Sequence, residues 1–418
     1  MKPFTNDDSK PTLIIFPFNL LSHYLRCLML ARYLSPYFRI VFANSKEYSR
    51  FIQDEGFESF ECLCLDAKEV MKSVIKFDFS WMNEKDLEAV FTDQVRVIKQ
   101  LEPHVILADT SPSVKMAAEK TGVIFVEIMN GYMSKYYTYG RKISRTHPVY
   151  PLIKMLPLPL ITALTNKGEE IAMDNVHRPF KKIRKKYALS RKSSYLDELE
   201  GDINIICDLE ELFPQKTLPH NYVMMAPLYN DPPENITEFV EKLDSTRKSI
   251  FISMGSTGDW QKMVFLNEPV FARYNVVTAG DDLHVLNADH IIQQSFVNFH
   301  ELFPQIDLVI CHGGNGTIYQ ALYYGIPLLC KTNHFDQEWN VAALERCELG
   351  RSLDEINLTT DYLDVIEEWI AEKHTSKILP VFRKRMFEEK DKMKSTIEKV
   401  TQLLFSVTVG TTAKVHQL

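Results

Sequence analysis

IDLVICHGGNGTIYQALYYG, Ile306 to Gly325, passes from an apolar run through a histidine and three glycines into a stretch with helical spacing. IDLVI reads as a short buried strand and IYQALYYG as a helix. Glycines at such a turn let the backbone come close to a ligand, and the open N–H groups at the start of the next helix face negative charge. The seven residues CHGGNGT therefore predict an anion site with phosphate as its guest, or else a tight turn that binds nothing.

The sequence on either side repeats this rhythm. SIFISMGS, YNVVTA, HIIQQSF and IPLLCK read as further strands of the second half, with helical segments between most of them. In the first half TLIIFPF, SHYLRCLMLARYL and FRIVFA read as strand, helix, strand. LEAVFTDQVRVIKQL, HVILAD, SVKMAAEK and VIFVEI continue the alternation, and DINIIC resumes it after an irregular tract. Short apolar strands alternating with helices predict parallel sheets. YNDPPEN, Tyr229 to Asn235, has the composition of an interdomain linker.

The expected fold class is α/β, with two doubly wound Rossmann-like domains in series facing a central cleft. Residues 1–230 form the first domain and 231–400 the second, whose terminal helices pack back on the first. Residues 401–418 are set apart as a tail.

At 418 residues two domains are the default, and 45% hydrophobic with 25% charged residues is ordinary for a globular protein. A net charge of -7 argues against a surface built for nucleic acid. Seven cysteines without paired spacing beyond Cys62 and Cys64 fit a reducing cytoplasm. The apolar tract VYPLIKMLPLPLITAL, Val149 to Leu164, carries Lys154 and three prolines and falls short of the roughly 20 residues of a spanning helix. The expected location is cytoplasmic, with a peripheral membrane contact left open.

Several chemistries drop out. No GxxxxGK[ST] run is present, and the third glycine of a dinucleotide fingerprint would fall at Tyr319. HELFP, His300 to Pro304, is half of a zinc-protease motif. There is no Asp-X-Asp pair to hold a metal on a nucleotide diphosphate, so the expectation is a metal-free anion site with no cofactor.

Ser295 to Gly350, SFVNFHELFPQIDLVICHGGNGTIYQALYYGIPLLCKTNHFDQEWNVAALERCELG, resembles the donor-binding region of GT-B glycosyltransferases of family 1, the UDP-glycosyltransferase superfamily that includes bacterial macrolide and natural-product enzymes. It joins a histidine-glycine loop, a Gly-Ile-Pro turn and an Asp-Gln pair in the same order. Outside it the resemblance continues in His23 after the first strand, Asp109 ending a later one, and the loop at Gly255 and Ser256. Members usually have glycine before the first histidine, where this chain has Ser22.

The resemblance implies a sugar nucleotide as co-substrate, UDP-linked or dTDP-linked. His312, the amides of Gly314, Asn315, Gly316 and Thr317, and the Thr317 hydroxyl would hold its diphosphate at a helix N-terminus. The other reading of His312 is a buried structural histidine. Gly255, Ser256 and Thr257 would add donors, or form an ordinary turn. The base would rest on backbone near Val297, and Gln320 stands where the family commonly has a glutamate on the ribose. Asp336 and Gln337 resemble the pair that hydrogen-bonds the donor sugar, although Asp336 alternatively caps the following helix.

His23 corresponds to the base that deprotonates the acceptor hydroxyl, with Asp109 orienting it. Arg26, one turn later, either reaches the same cleft or, as expected, lies at the surface. The tract from Tyr132 to Ile161 has the aromatic and apolar character of an acceptor pocket or flap. RPFKKIRKKY, Arg178 to Tyr187, reads as an attractor of anionic lipid or as a solvated helix face.

The function expected is an inverting glycosyltransferase moving a hexose, glucose or a relative, from a UDP-sugar to a hydroxyl of a hydrophobic small molecule. Its rivals are a membrane-associated enzyme acting on a lipid or glycolipid, and an inactive nucleotide-sugar-binding homologue that assists a partner.

Overall fold

The computed structural model describes residues 10–141, 143–145, 147–229, 240–255, 257–280, 283–295, 297–371 and 375–415. It contains two compact units. One is Met1–Ile143 with His147–Leu228 and Asp391–Leu418, and the other is Tyr229–Lys390 with Ser144–Thr146.

The first unit runs β1 (Thr12–Pro17), α1 (Leu21–Leu34), β2 (Arg39–Ala43), α2 (Ser49–Asp54), β3 (Glu58–Phe60), α3 (Ala67–Ile75), α4 (Glu84–Leu101), β4 (Val105–Asp109), α5 (Val114–Thr121), β5 (Ile124–Met129), α6 (Tyr150–Ile153), α7 (Leu158–Lys186), β6 (Ile203–Ile206) and β7 (Tyr222–Met224). Its sheet has the order β3-β2-β1-β4-β5-β6-β7, with every pairing parallel. Leu13, Ile14 and Ile15 are all fully buried because helices cover both faces of the sheet, which is why the strands read as unbroken apolar runs.

The second unit runs β8 (Ser249–Ser253), β9 (Asn275–Ala279), β10 (Ile291–Gln294), α8 (Phe299–Leu302), β11 (Leu308–Cys311), α9 (Asn315–Tyr324), β12 (Leu328–Cys330), α10 (Phe335–Arg346), β13 (Gly350–Ser352), α11 (Thr359–Ala371) and the start of α12 (Thr375–Val415), whose residues from Asp391 belong to the first unit. Its parallel sheet is ordered β10-β9-β8-β11-β12-β13.

In each sheet the strand order reverses once beside the first strand. The reversal lies between β1 and β4, where Pro17 pairs with Asp109, and between β8 and β11, where Ser253 pairs with Cys311. Ligands of open parallel sheets bind beyond the carboxyl ends of the strands at such a reversal. His23 and Asp109 flank the first, and Gly255 and His312 flank the second.

Three elements depart from the sequence reading. The irregular tract after Tyr132 contains the 29-residue α7. Pro157 and Pro159 look like breakers but stand at the helix start, where a missing N–H removes no bond. Second, α12 continues to Val415, so the stretch set apart as a tail is helical. Met393, Ile397, Val400 and Leu404 recur at helical spacing and are buried in the core of the first unit, which places the division at Lys390 rather than 400.

The third concerns the basic run, which forms the end of α7 and is largely neutralised within its own unit. Lys182 pairs with Glu84 at 2.8 Å and Lys186 with Glu88 at 2.6 Å. Arg184 is buried and donates to Glu198 at 2.6 Å and to Glu119. A run so paired offers little to a lipid surface.

Candidate active site

The first half-site is built around one carboxylate. Asp109 ends β4 with its side chain completely buried, and Oδ1 lies 2.9 Å from His23 Nδ1. His23 stands in the first turn of α1 and is 18% exposed. A ring nitrogen facing an ionised carboxylate carries the proton, which leaves the lone pair on Nε2.

Arg26, three residues on, shares that helix face and does not lie at the surface. Its Nε donates to Asp109 Oδ2 at 2.6 Å, a second guanidinium nitrogen donates to Oδ1, and the third donates to Asn130. Burial would push the Asp109 carboxyl up, but Arg26 and then His23 outweigh it and hold it at about 2.

Behind Asp109 lies Glu127 of β5, also buried, whose Oε1 accepts the Thr110 N–H at 2.8 Å. Burial first, and the Asp109 charge second, push its carboxyl well above the ordinary range. Thr110 takes a left-handed φ of 49° and Ser113 one of 65°, so Glu127 anchors a strained loop directly after the carboxylate. Glu127 was not singled out from the sequence. Its signal was an acid inside the apolar strand VIFVEI.

A small, mostly apolar hollow lies beyond the ends of β1 and β2. Phe16, Phe18, Tyr24, Leu63 and Val90 line it, and Asn19, Gln94 and Ser111 add polar edges. The Phe18 ring meets His23 edge-on at 5.6 Å and lies 6.4 Å from Trp81. This hollow lies at the strand ends and not in the tract from Tyr132 to Ile161.

The second half-site turns on His312, which directly follows β11 and is buried. Its imidazole lies between two glycines. A Cβ on Gly255, whose φ is 55°, would fall 2.5 Å from Cε1, and one on Gly314 would strike Nε2. Gly313, at φ 86°, lies against Val341 and the Gln337 backbone. Three of these glycines are therefore demanded by the chain itself, whereas a Cβ on Gly316 would meet nothing.

His312 Nδ1 has no hydrogen-bond partner among the described residues. Burial, and next the neighbouring His334, push the imidazole down to about 4, so it is neutral at pH 7. Gly314 is the N-cap of α9 and brings no side-chain cap, and Gly314 to Thr317 are partly or fully exposed. A buried imidazole nitrogen without a partner, beside an uncapped N-terminus of a ten-residue helix, has the chemistry of an anion receptor.

The other expected contacts divide. Ser256 lies outside the described residues. The Gln337 side chain is 2% exposed and both its amide atoms are engaged, Oε1 by the Asn333 N–H at 2.7 Å and Nε2 on Thr257 Oγ1 at 3.1 Å. Asn333 also donates to the Thr257 carbonyl at 2.8 Å, and Asn340 to the Gly313 carbonyl at 2.9 Å. These amides of α10 and the loop before it brace the β8 and β11 turns. Asp336 pairs with His334, yet its side chain is 36% exposed. The N-cap of α10 is His334, so Asp336 is a first-turn acid rather than the cap. Gln320 and Val297 are both buried.

Comparison with known proteins is consistent with this layout. Residues 234–400 match the glycosyltransferase family 28 C-terminal domain. A PGL/p-HBAD biosynthesis glycosyltransferase of Mycobacterium tuberculosis is 23% identical over 350 residues, 82% of this chain and 80% of its own length. A PGL/p-HBAD biosynthesis rhamnosyltransferase of Mycobacterium bovis is 23% identical over 339 residues, 79% of this chain and 74% of that one. The solved structure of the spinosyn forosaminyltransferase SpnP superposes with a TM-score of 0.68 over 95% of this chain and 100% of that one, at 14% identity. The chain is a glycosyltransferase of the GT-B fold.

Two outcomes follow for this glycosyltransferase. Arg26→Met leaves Asp109 a buried charge with one partner fewer, and should lower unfolding stability by roughly 3–5 kcal/mol; Arg26→Met/Asp109→Asn should recover much of that in urea titrations. Glu127→Gln keeps an acceptor for Thr110. Because the folded carboxyl is raised above its ordinary 4.5, wild type should lose stability relative to this variant as pH rises above that value and the unfolded carboxyl ionises. Urea midpoints from about pH 4 to about pH 8 read the divergence, and parallel curves would mean that Glu127 is ionised in the fold.

Proposed function

We propose that this glycosyltransferase moves a hexose, glucose or a close relative, from a UDP-sugar to a hydroxyl of a hydrophobic acceptor, with inversion and without a metal ion, in the manner of the UDP-glycosyltransferase superfamily. The observation that carries the reading is the 2.9 Å contact of His23 Nδ1 with the buried Asp109 carboxylate, which turns the Nε2 lone pair into a base.

Nε2 removes the acceptor proton as the acceptor oxygen attacks the anomeric carbon from the side opposite the diphosphate. The bond from that carbon to the diphosphate oxygen breaks, and its electron pair stays on that oxygen. One displacement inverts the centre. Asp109 stabilises the imidazolium that forms, and Arg26 keeps the carboxylate from taking the proton itself. The amides at the start of α9 and an N–H of neutral His312 receive the charge on the leaving group. The partly exposed carboxylate of Asp336 would accept a sugar hydroxyl, whereas Gln337 holds Thr257. The buried Val297 and Gln320 would meet the base and ribose.

The Phe18 ring against His23, with Trp81 beyond it, favours a hydrophobic acceptor. Relatives named for PGL/p-HBAD biosynthesis support the second reading, a lipid or glycolipid acceptor. An intact His23–Asp109 pair speaks against an inactive homologue.

His23→Ala should reduce transfer by about 10²–10⁴-fold while UDP binding stays near wild type, and unchanged turnover would remove His23 from the reaction. In thermal-shift measurements with EDTA present, UDP or dTDP should stabilise the protein where NAD does not. His312→Ala should weaken that shift. An equal shift in the variant would place the diphosphate elsewhere.

A further inference from the structure

Among the described residues, seven of the sixteen exposed large apolar side chains fall between Val149 and Ile171. Leu152 is 78% and Met155 84% exposed, and Leu156, Leu160, Leu164 and Ile171 join them. Residues 160, 164 and 171 are spaced to share one face of α7. That helix enters the core of its unit only from Val176 onward, through Val176, Phe180 and Ile183. Of the described residues from 148 to 175, Ile153 alone is buried, so α6 and the first half of α7 project with their apolar surface outward.

Charge identifies what covers this face. From Lys142 to Gly168 the sequence holds Lys142, Arg145, Lys154 and Lys167 and no acid, and Glu169 and Glu170 follow; Lys167 pairs with Glu170 and Arg145 with Glu345, while Lys154 stands exposed among the apolar side chains. Lys154 is exposed between Leu152 and Met155, where its stem can lie along apolar neighbours while the ammonium reaches a headgroup. The exposed side chains are almost all aliphatic and lack the Trp, Tyr and Arg anchors that dominate protein interfaces. No helix among the described residues is long and apolar enough to cross a membrane.

We propose that α6 and the first half of α7 form a surface that docks on a bilayer containing anionic lipid, lying in the interface rather than spanning it. The paired cations at the far end of α7, from Lys181 onward, take no part. Such docking would bring the first unit to a membrane-dissolved acceptor. It is tested without donor or acceptor, so its failure leaves the transfer reading intact.

The test is co-sedimentation of the full chain with phosphatidylcholine vesicles, with and without about 30 mol % phosphatidylglycerol. Wild type should sediment with the anionic vesicles. Leu152→Ser/Met155→Ser/Leu160→Ser/Leu164→Ser, all at exposed positions, should lower partition about tenfold or more without lowering Tm. Lys154→Glu/Lys167→Glu, or raised salt, should lower it several-fold. The proposal is overturned if wild type stays in the supernatant, or if the four-serine variant binds as wild type does. A lipid-free dimer that the serine changes dissolve, with no vesicle binding, would assign the face to a second copy and overturn it equally.

Discussion

A single buried carboxylate organises the strand ends of the first unit. Asp109 is removed from water at the end of a strand with no exposed surface, a position an isolated anion does not hold. It stays ionised because Arg26 meets both of its oxygens and His23 meets one. The geometry of α1 makes this possible, since positions three apart share a face and the helix starts where β1 ends. The Glu127 carboxyl behind Asp109 accepts the Thr110 N–H and is pushed well above the ordinary range by its burial and then by the Asp109 charge.

The second unit presents the opposite arrangement. There a neutral, buried imidazole lies beside the amides of an uncapped helix start. The glycines serve the protein as much as the ligand: Gly255 and Gly314 leave the volume in which the His312 ring sits, and Gly313 lets the turn pass against α10. Bracing comes from amide side chains, Gln337, Asn333 and Asn340, which fasten the two turns by short neutral hydrogen bonds.

The central strands were legible because parallel strands covered on both faces are apolar throughout, as in TLIIFP and VILAD. The strands that escaped notice, ESF, YVM and GRS, are three-residue edge pieces of β3, β7 and β13, stabilised by a neighbour rather than by their own composition. The first half of α7 escaped for a related reason, because prolines that break a helix interior are harmless at its start.

By itself the sequence determined the two parallel α/β units and the positions of His23, Asp109 and His312, because strand periodicity and glycine turns are local properties of the chain. Only the tertiary structure decided what those residues touch. Arg26 looked like a surface cation until β4 brought Asp109 against it from 83 positions away. Gln337 looked like a sugar ligand until Thr257 and Asn333 engaged its amide. Charge pairing and amide bonding depend on distances across the sheet, and those are set by the packing of elements far apart in the chain.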